Sequence, residues 1–275
     1  MTVPLVESQS FPVELRPYLQ ELVRRVRSVC GVRVVSVFAV GSLALGDYRR
    51  ARSDIDVTVV VDPALPDAAV LRLAEVLTDL ECPAAGLELV LYDADVIGRR
   101  CDRAGYRLDL NTGPLLPHKA SFDSARSPAF WYVIDRGVAC QSGKLLYGRP
   151  VREVVAAPVF ADQLAAVRAS VREHATGAGH LADNQVLNGC RAIVFCRTGR
   201  WFAKRGAAHR IARAEPRFGP LVDRALRSFE RPRAQNLSLP DSAVAQFLSW
   251  AGECVERAPR GSTDEFRSWG RSTQS

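Results

Sequence analysis

The apolar positions of this chain follow two periods in turn. Arg33 to Val40 and Ile55 to Val61 are nearly unbroken aliphatic and β-branched runs, closed by Gly41 and by Asp62-Pro63. Runs of that length and type predict two buried strands. Leu87-Glu88-Leu89-Val90-Leu91-Tyr92 predicts a third, and the alternation of Tyr106-Arg107-Leu108-Asp109-Leu110 a fourth. Elsewhere the spacing is helical. Val13, Leu15, Leu19, Leu22, Val23 and Val26 share one side of a helix from Pro12 to Val29, with Ser10 available as its cap. Val70, Leu71, Leu73, Val76 and Leu77 mark a second helix, Asp67 to Leu80. Asn111 to Pro117 reads as a turn-rich loop, and Pro128 to Cys140 as a helix closed by Ser142-Gly143.

After Gly148-Arg149-Pro150 the strand signals stop. Alanine, arginine and leucine at helical spacing predict helices over Ala161 to His174, Asn184 to Arg197, Ala203 to Ala214, Gly219 to Phe229 and Asp241 to Arg257. This places a boundary near Ala156, with an α/β domain over residues 1–156 and an all-helical domain over 157–275. The tail from Arg260 is polar, bears glycine and serine, and is expected to fray. There is no internal repeat.

Composition adds little beyond a globular class: 47% hydrophobic, 24% charged, with no low-complexity run. No apolar stretch reaches the length of a membrane span, and the first residues lack the basic-then-apolar order of a secretory signal. Seven scattered cysteines contain no Cys-x-x-Cys. Cys190 and Cys196 read as core residues, and reduced thiols fit a cytoplasmic protein. Charge is more informative. Residues 1–156 carry 19 Lys/Arg and 19 Asp/Glu, and residues 157–275 carry 18 and 11, so the whole net charge of +7 lies in the helical part. That asymmetry suits an anionic partner such as a triphosphate, while the lack of aromatic residues among the cations argues against nucleic acid.

The chemistry gathers where the first two strands meet. Gly41-Ser42 ends one strand and opens a turn whose unpaired N–H groups can hold a phosphate. Asp54 and Asp56, at i and i+2 at the mouth of the next strand, point to the same side. Two carboxylates there repel one another unless a cation lies between them, and Mg²⁺ is the usual cation where nucleoside triphosphates are handled. This combination resembles the signature of the polymerase β-like nucleotidyltransferases. Glu88 is the acidic residue inside the following strand. The reaction needs a base for a hydroxyl attacking an α-phosphate, and Glu88 is assigned that role by spatial logic.

The second half narrows the resemblance. The segment Asn184-Gln-Val-Leu-Asn-Gly-Cys-Arg191 leads through Thr198-Gly199 to Lys204. It resembles the helical domain of the aminoglycoside (3'')(9) adenylyltransferases: an asparagine-led helix with an internal arginine, a Thr-Gly turn, then a lysine opening the next helix. Leu110-Asn-Thr-Gly-Pro and Phe130-Trp-Tyr-Val-Ile-Asp135 are similar to linker segments of that family. The resemblance covers most of the chain, to about Phe229. It implies an α+β fold, a polymerase β-like domain with a mixed sheet followed by a helical bundle. It further implies transfer of AMP from ATP to a drug hydroxyl, with two Mg²⁺ ions, in a cleft between the domains of a monomer. Gly41, Ser42 and Ser53 would bind the nucleotide together with Arg191 and Lys204. Asp54, Asp56 and Glu88 would hold the metals, with Glu88 also serving as base.

This chain departs from the pattern in the drug site. Streptomycin-accepting members use a tryptophan downstream of the third carboxylate strand, and none lies between Glu88 and Phe130. Trp131 reads as a core residue of its helix. Asp183 and Asp109 are candidates for contacting a cationic acceptor, with a helix N-cap as the other reading of Asp183. The acceptor thus stays open among an aminoglycoside or aminocyclitol, another small hydroxylated molecule, a protein side chain and a tRNA end. A nucleotide-binding protein without catalysis is the non-enzymatic alternative.

Overall fold

Alternating apolar residues build one sheet with two differently occupied faces. The structure, a computed structural model, describes residues 5–177 and 181–258; the tail from Arg260 lies outside them. In chain order the elements are α1 (Arg16–Cys30), β1 (Val34–Ala39), α2 (Gly41–Ala44), β2 (Ile55–Val61), α3 (Asp67–Thr78), β3 (Leu87–Asp93), α4 (Ala94–Ile97), β4 (Leu108–Thr112) and β5 (Lys119–Ser121). They continue with α5 (Ala129–Ser142), β6 (Lys144–Gly148), α6 (Val151–Val154), α7 (Phe160–Ala175), α8 (Ala182–Thr198), α9 (Lys204–Ala214), α10 (Gly219–Phe229) and α11 (Asp241–Glu256). The chain divides into two compact units, Met1–Pro158 and Val159–Ser275.

In the first unit the strand order is β5-β4-β3-β2-β1-β6. β2 and β3 run parallel, which requires a crossover, and α3 supplies it. The other neighbours pair antiparallel, giving the mixed sheet that the family likeness implies. One face is aliphatic. Val57, Val59 and Val61 of β2 and Leu87, Leu89 and Leu91 of β3 are buried with Leu19, Leu22, Val23 and Val26 of α1 and Val70, Leu73 and Leu77 of α3. Each such side chain contributes about 1.5–3 kcal/mol on burial. The opposite face places Phe38, Val40, Val60 and Tyr92 against Ile97, Tyr132, Val151 and Val154. Because side chains alternate along a strand, Asp56, Glu88 and Asp109 fall on this second face, under α5.

Several boundaries differ from the sequence reading. β4 runs on to Thr112, so Asn111 and Thr112 are strand residues rather than loop. They pair with Glu88 and Leu87, because backbone ladder bonds do not require apolar side chains. β5 and β6 were not legible. β5 has three residues with no apolar alternation, and β6 follows directly on a helix. The edge of β6 is covered by the N-terminal segment, where the Val6 and Glu7 N–H groups donate to the Leu146 and Leu145 carbonyls at 3.1 and 3.3 Å. α1 begins at Arg16, after a 3₁₀ turn, and Ser10 does not cap it.

In the second unit α8 packs against α7, α9, α10 and α11. Val186, Leu187, Cys190, Ile193 and Phe195 of α8 are buried. The helix ends at Gly199, whose φ of 64° closes it in the left-handed conformation. All seven cysteines are free. Burial pushes the thiols of Cys30, Cys190 and Cys196 upward, Cys30 to about 11, which leaves them inert at neutral pH. Among the described residues no helix is long and apolar enough to cross a membrane.

Candidate active site

Gly41 fixes the geometry of the site. β1 ends at Ala39, Val40 is extended, and Gly41 opens α2 with φ 56°, the left-handed region where glycine is strain-free. The Val40 N–H donates to the Asp56 carbonyl at 3.0 Å, tying the turn to β2. A Cβ at position 41 would overlap the Asp56 carboxylate. The turn therefore lies flush on the acidic side chain, and only glycine permits that approach. Ser42 follows; its Oγ is shielded from solvent and has no hydrogen-bond partner among the described residues.

Asp54 and Asp56 enter from the start of β2. Between the turn and β2 the chain is closed by Ser53, whose Oγ accepts from the Arg49 N–H at 3.0 Å and whose N–H donates to the Arg49 carbonyl at 2.8 Å. Ser53 is buried, and its hydroxyl is engaged in that turn. Across the parallel pair Asp56 is in register with Glu88. The Glu88 carboxyl is held well above the usual carboxylate range, first by loss of solvent and then by the charges of Asp56, Asp54, Asp135 and Asp109. The three acids expected to act together thus lie in one electrostatic neighbourhood.

Among the described residues no three His, Cys, Asp or Glu side chains form a ready-made metal-binding group. The donor set nevertheless suits Mg²⁺. It consists of carboxylate oxygens crowded by like charge, with Asp54 Oδ1 shielded from solvent and the Asp56 carboxylate pressed against the Gly41 turn.

The other expected residues fall differently. Asp109 is buried, and its Oδ2 accepts from Lys119 Nζ at 2.9 Å and from Tyr132 Oη at 3.0 Å, so its charge is neutralised within the first unit. Asp183 is also buried. It lies inside the first turn of α8, which begins at Ala182 with Leu181 at the N-cap position, so the N-cap reading fails. Its Oδ2 accepts from Ser228 Oγ at 2.5 Å and its Oδ1 from the Asn184 N–H at 2.7 Å. Lys204 Nζ donates to Asn184 Oδ1 at 3.0 Å, and the Arg191 guanidinium lies 5.9 Å from the Trp201 ring centroid. Asn184 and Lys204 are thus paired within the second unit, and Arg191 lies against the buried Trp201.

Two features escaped the sequence reading. Asp135, solvent-exposed on α5, contributes to the field at Glu88. Its signal was its place one helical turn after Tyr132, at i+3. Lys119, the partner of Asp109, gave no signal, because a lone lysine after a proline-rich turn has no pattern.

Comparison with known proteins agrees with this geometry. Residues 18–97 match the nucleotidyltransferase domain family, and residues 155–252 match the aminoglycoside adenylyltransferase C-terminal domain family. No curated protein matches the sequence. Among solved structures, spectinomycin adenyltransferase AAD(9) from Enterococcus faecialis, solved with ATP and spectinomycin, is similar, with a TM-score of 0.67 and 17% identity over 86% of this chain and 99% of that one. At that identity the likeness speaks for the fold. On a mixed sheet whose Gly-Ser turn lies against Asp56, the matched nucleotidyltransferase domain makes this protein an enzyme of that class. With both domain families matched in order, the chain belongs to the aminoglycoside adenylyltransferase family, as its residues suggested.

Proposed function

We propose that this enzyme transfers AMP from ATP to a hydroxyl of an aminoglycoside or aminocyclitol of the spectinomycin or streptomycin type. The observation that carries the reading is the meeting of Gly41, Asp56 and Glu88: a phosphate-seating turn pressed onto one carboxylate, with a second, basic carboxylate in register beside it. The ATP and spectinomycin bound in the AAD(9) structure support the choice of both substrates.

The turn offers the Gly41 N–H and the Ser42 hydroxyl to the triphosphate. Glu88 takes the proton of the acceptor hydroxyl as its oxygen attacks the α-phosphorus, the bond from that phosphorus to the bridging oxygen breaks, and pyrophosphate leaves. The crowding that raises the Glu88 pKa also makes its ionised form a stronger proton acceptor. Asp54, Asp56 and Glu88 are the residues that would hold Mg²⁺, two ions in this reading, and bound Mg²⁺ supplies charge neutralisation on the triphosphate and on the departing pyrophosphate. Arg191 and Lys204 are assigned to the phosphates by family likeness, and Ser53 to holding the turn. The joint negative field of Asp54, Asp56, Glu88 and Asp135 favours a cationic acceptor.

Pyrophosphate release is the test, measured with ATP, Mg²⁺ and a panel containing spectinomycin, streptomycin, other hydroxylated small molecules and tRNA. Release dependent on spectinomycin or streptomycin supports the proposal. Release only with tRNA or an unrelated metabolite rejects the acceptor, and no release with any acceptor rejects the transfer.

A further inference from the structure

Three side chains from three elements meet at one atom. Asp109 Oδ2, on β4, accepts from Lys119 Nζ of β5 and from Tyr132 Oη of α5. Asp109 and Tyr132 are buried, and a buried carboxylate is retained only where such partners neutralise it. Strand register sets Asp109 opposite Val90 and Asn111 opposite Glu88, so Asp109 lies two residues along the same sheet face from the partner of Glu88. α5, held from above by Tyr132, also packs against α2, the turn bearing Gly41 and Ser42. One carboxylate oxygen therefore links α5 to β4, beside the Glu88 strand, while the same helix touches the phosphate turn.

The helix has other attachments that keep it folded without this one. The Tyr106 and Tyr132 rings are 5.0 Å apart, and Tyr106 Oη shares hydrogen bonds with Ser121 Oγ and Ser127 Oγ at 2.7 and 2.5 Å. Four residues after Tyr132, the buried Arg136 donates to the Cys101 and Arg103 carbonyls, each at 2.8 Å. Losing the bonds to Asp109 thus loosens the placement of α5 rather than its formation.

We propose that Asp109, Lys119 and Tyr132 are positioning residues for adenylyl transfer, a latch that keeps α5 and the Glu88 strand at the spacing the phosphate turn requires. The inference rests on the nucleotidyl-transfer reading above. It also replaces the expected contact of Asp109 with substrate by a role exerted through Glu88.

The test uses Tyr132→Phe, which removes one hydroxyl and keeps the ring, with Lys119→Met and Lys119→Arg. Misplacement of reacting groups by an ångström costs on the order of 10²-fold in rate. Tyr132→Phe and Lys119→Met should therefore lower kcat at least about tenfold, with the KM for ATP within about threefold of wild type, and Lys119→Arg should restore most of the rate. A lowered melting temperature with unchanged kcat would mean a structural role only and overturns the latch. So does a rise in KM with kcat preserved. Hydrogen exchange over residues 129–142, with ATP and Mg²⁺ but no acceptor, separates the latch from the transfer reading. If the wild type transfers AMP to nothing, the proposed function fails alone. The latch then stands if ATP slows exchange in wild type but not in Tyr132→Phe, and falls if ATP slows it in neither or equally in both.

Discussion

Asp56 and Glu88 are register partners across the parallel β2–β3 pair, their side chains on the face opposite the aliphatic core. Adjacent like charges of this kind lower stability unless a proton or a cation neutralises them, and here the burden falls on Glu88, whose carboxyl is raised by burial and by Asp56 and Asp54.

That shift predicts a pH dependence of the metal-free protein. The folded state keeps the Glu88 proton where the unfolded chain, near its ordinary value of about 4.5, has lost it. The resulting stability is complete below that pH, declines as pH rises through it, and levels off above the folded-state pKa. Glu88→Gln cannot ionise. Thermal melts from pH 4 to 8 without Mg²⁺ should show the variant gaining on wild type as pH rises, and parallel curves would contradict the assignment. With ATP, Mg²⁺ and acceptor, the same variant should lose about 10²–10⁴-fold in kcat while still binding ATP.

Gly41→Ala should nearly abolish transfer. The added methyl meets the Asp56 carboxylate and must also adopt a left-handed φ, which alone costs roughly 1–2 kcal/mol. A modest fall in melting temperature with turnover down about 10²-fold or more is expected. Retention of full activity would mean that the turn can move off Asp56 without consequence.

Ser42→Ala separates a binding role from a structural one. Its hydroxyl is buried and makes no hydrogen bond among the described residues, so removing it should leave the melting temperature equal or slightly higher. ATP affinity, measured by calorimetry, should fall by about 10- to 150-fold, the worth of one hydrogen bond to a charged group. A destabilised variant that binds ATP normally would reverse the assignment.

Asp183→Ala should act on folding rather than on the acceptor. It strips the partner from buried Ser228 and from the Asn184 N–H, a loss of about 1–3 kcal/mol. Denaturant titration should detect it, while the KM for spectinomycin in the surviving folded protein stays near wild type. A KM rise without loss of stability would restore Asp183 to the acceptor site.

The elements that position the chemistry were legible because their sequences satisfy two demands together. Val34–Ala39 and Ile55–Val61 are aliphatic enough to be buried strands and end in residues that a core would not choose. Glu88 stood out for the same reason, as an acid between Leu87 and Leu89. Short and polar elements were hidden. Lys119–Ser121 is a strand by virtue of β4 beside it, a relation three residues cannot encode. For Asp109 and Asp183 the sequence shows a charge but not the partners that hold it. Lys119 is ten residues from Asp109 and Ser228 is forty-five from Asp183, separations that only the folded chain closes.

The division of labour between the two sides of the central strands makes tolerance to change a matter of odd and even numbers. Walking from Ile55 to Val59, or from Leu87 to Leu91, each step crosses from methyl groups locked under α1 and α3 to the side that faces α5. A saturation scan scored separately for abundance and for catalysis should therefore show the two signals out of phase around Asp56 and Glu88, with soluble, inactive protein from substitutions at these two acids and little recoverable protein from polar substitutions at their immediate neighbours.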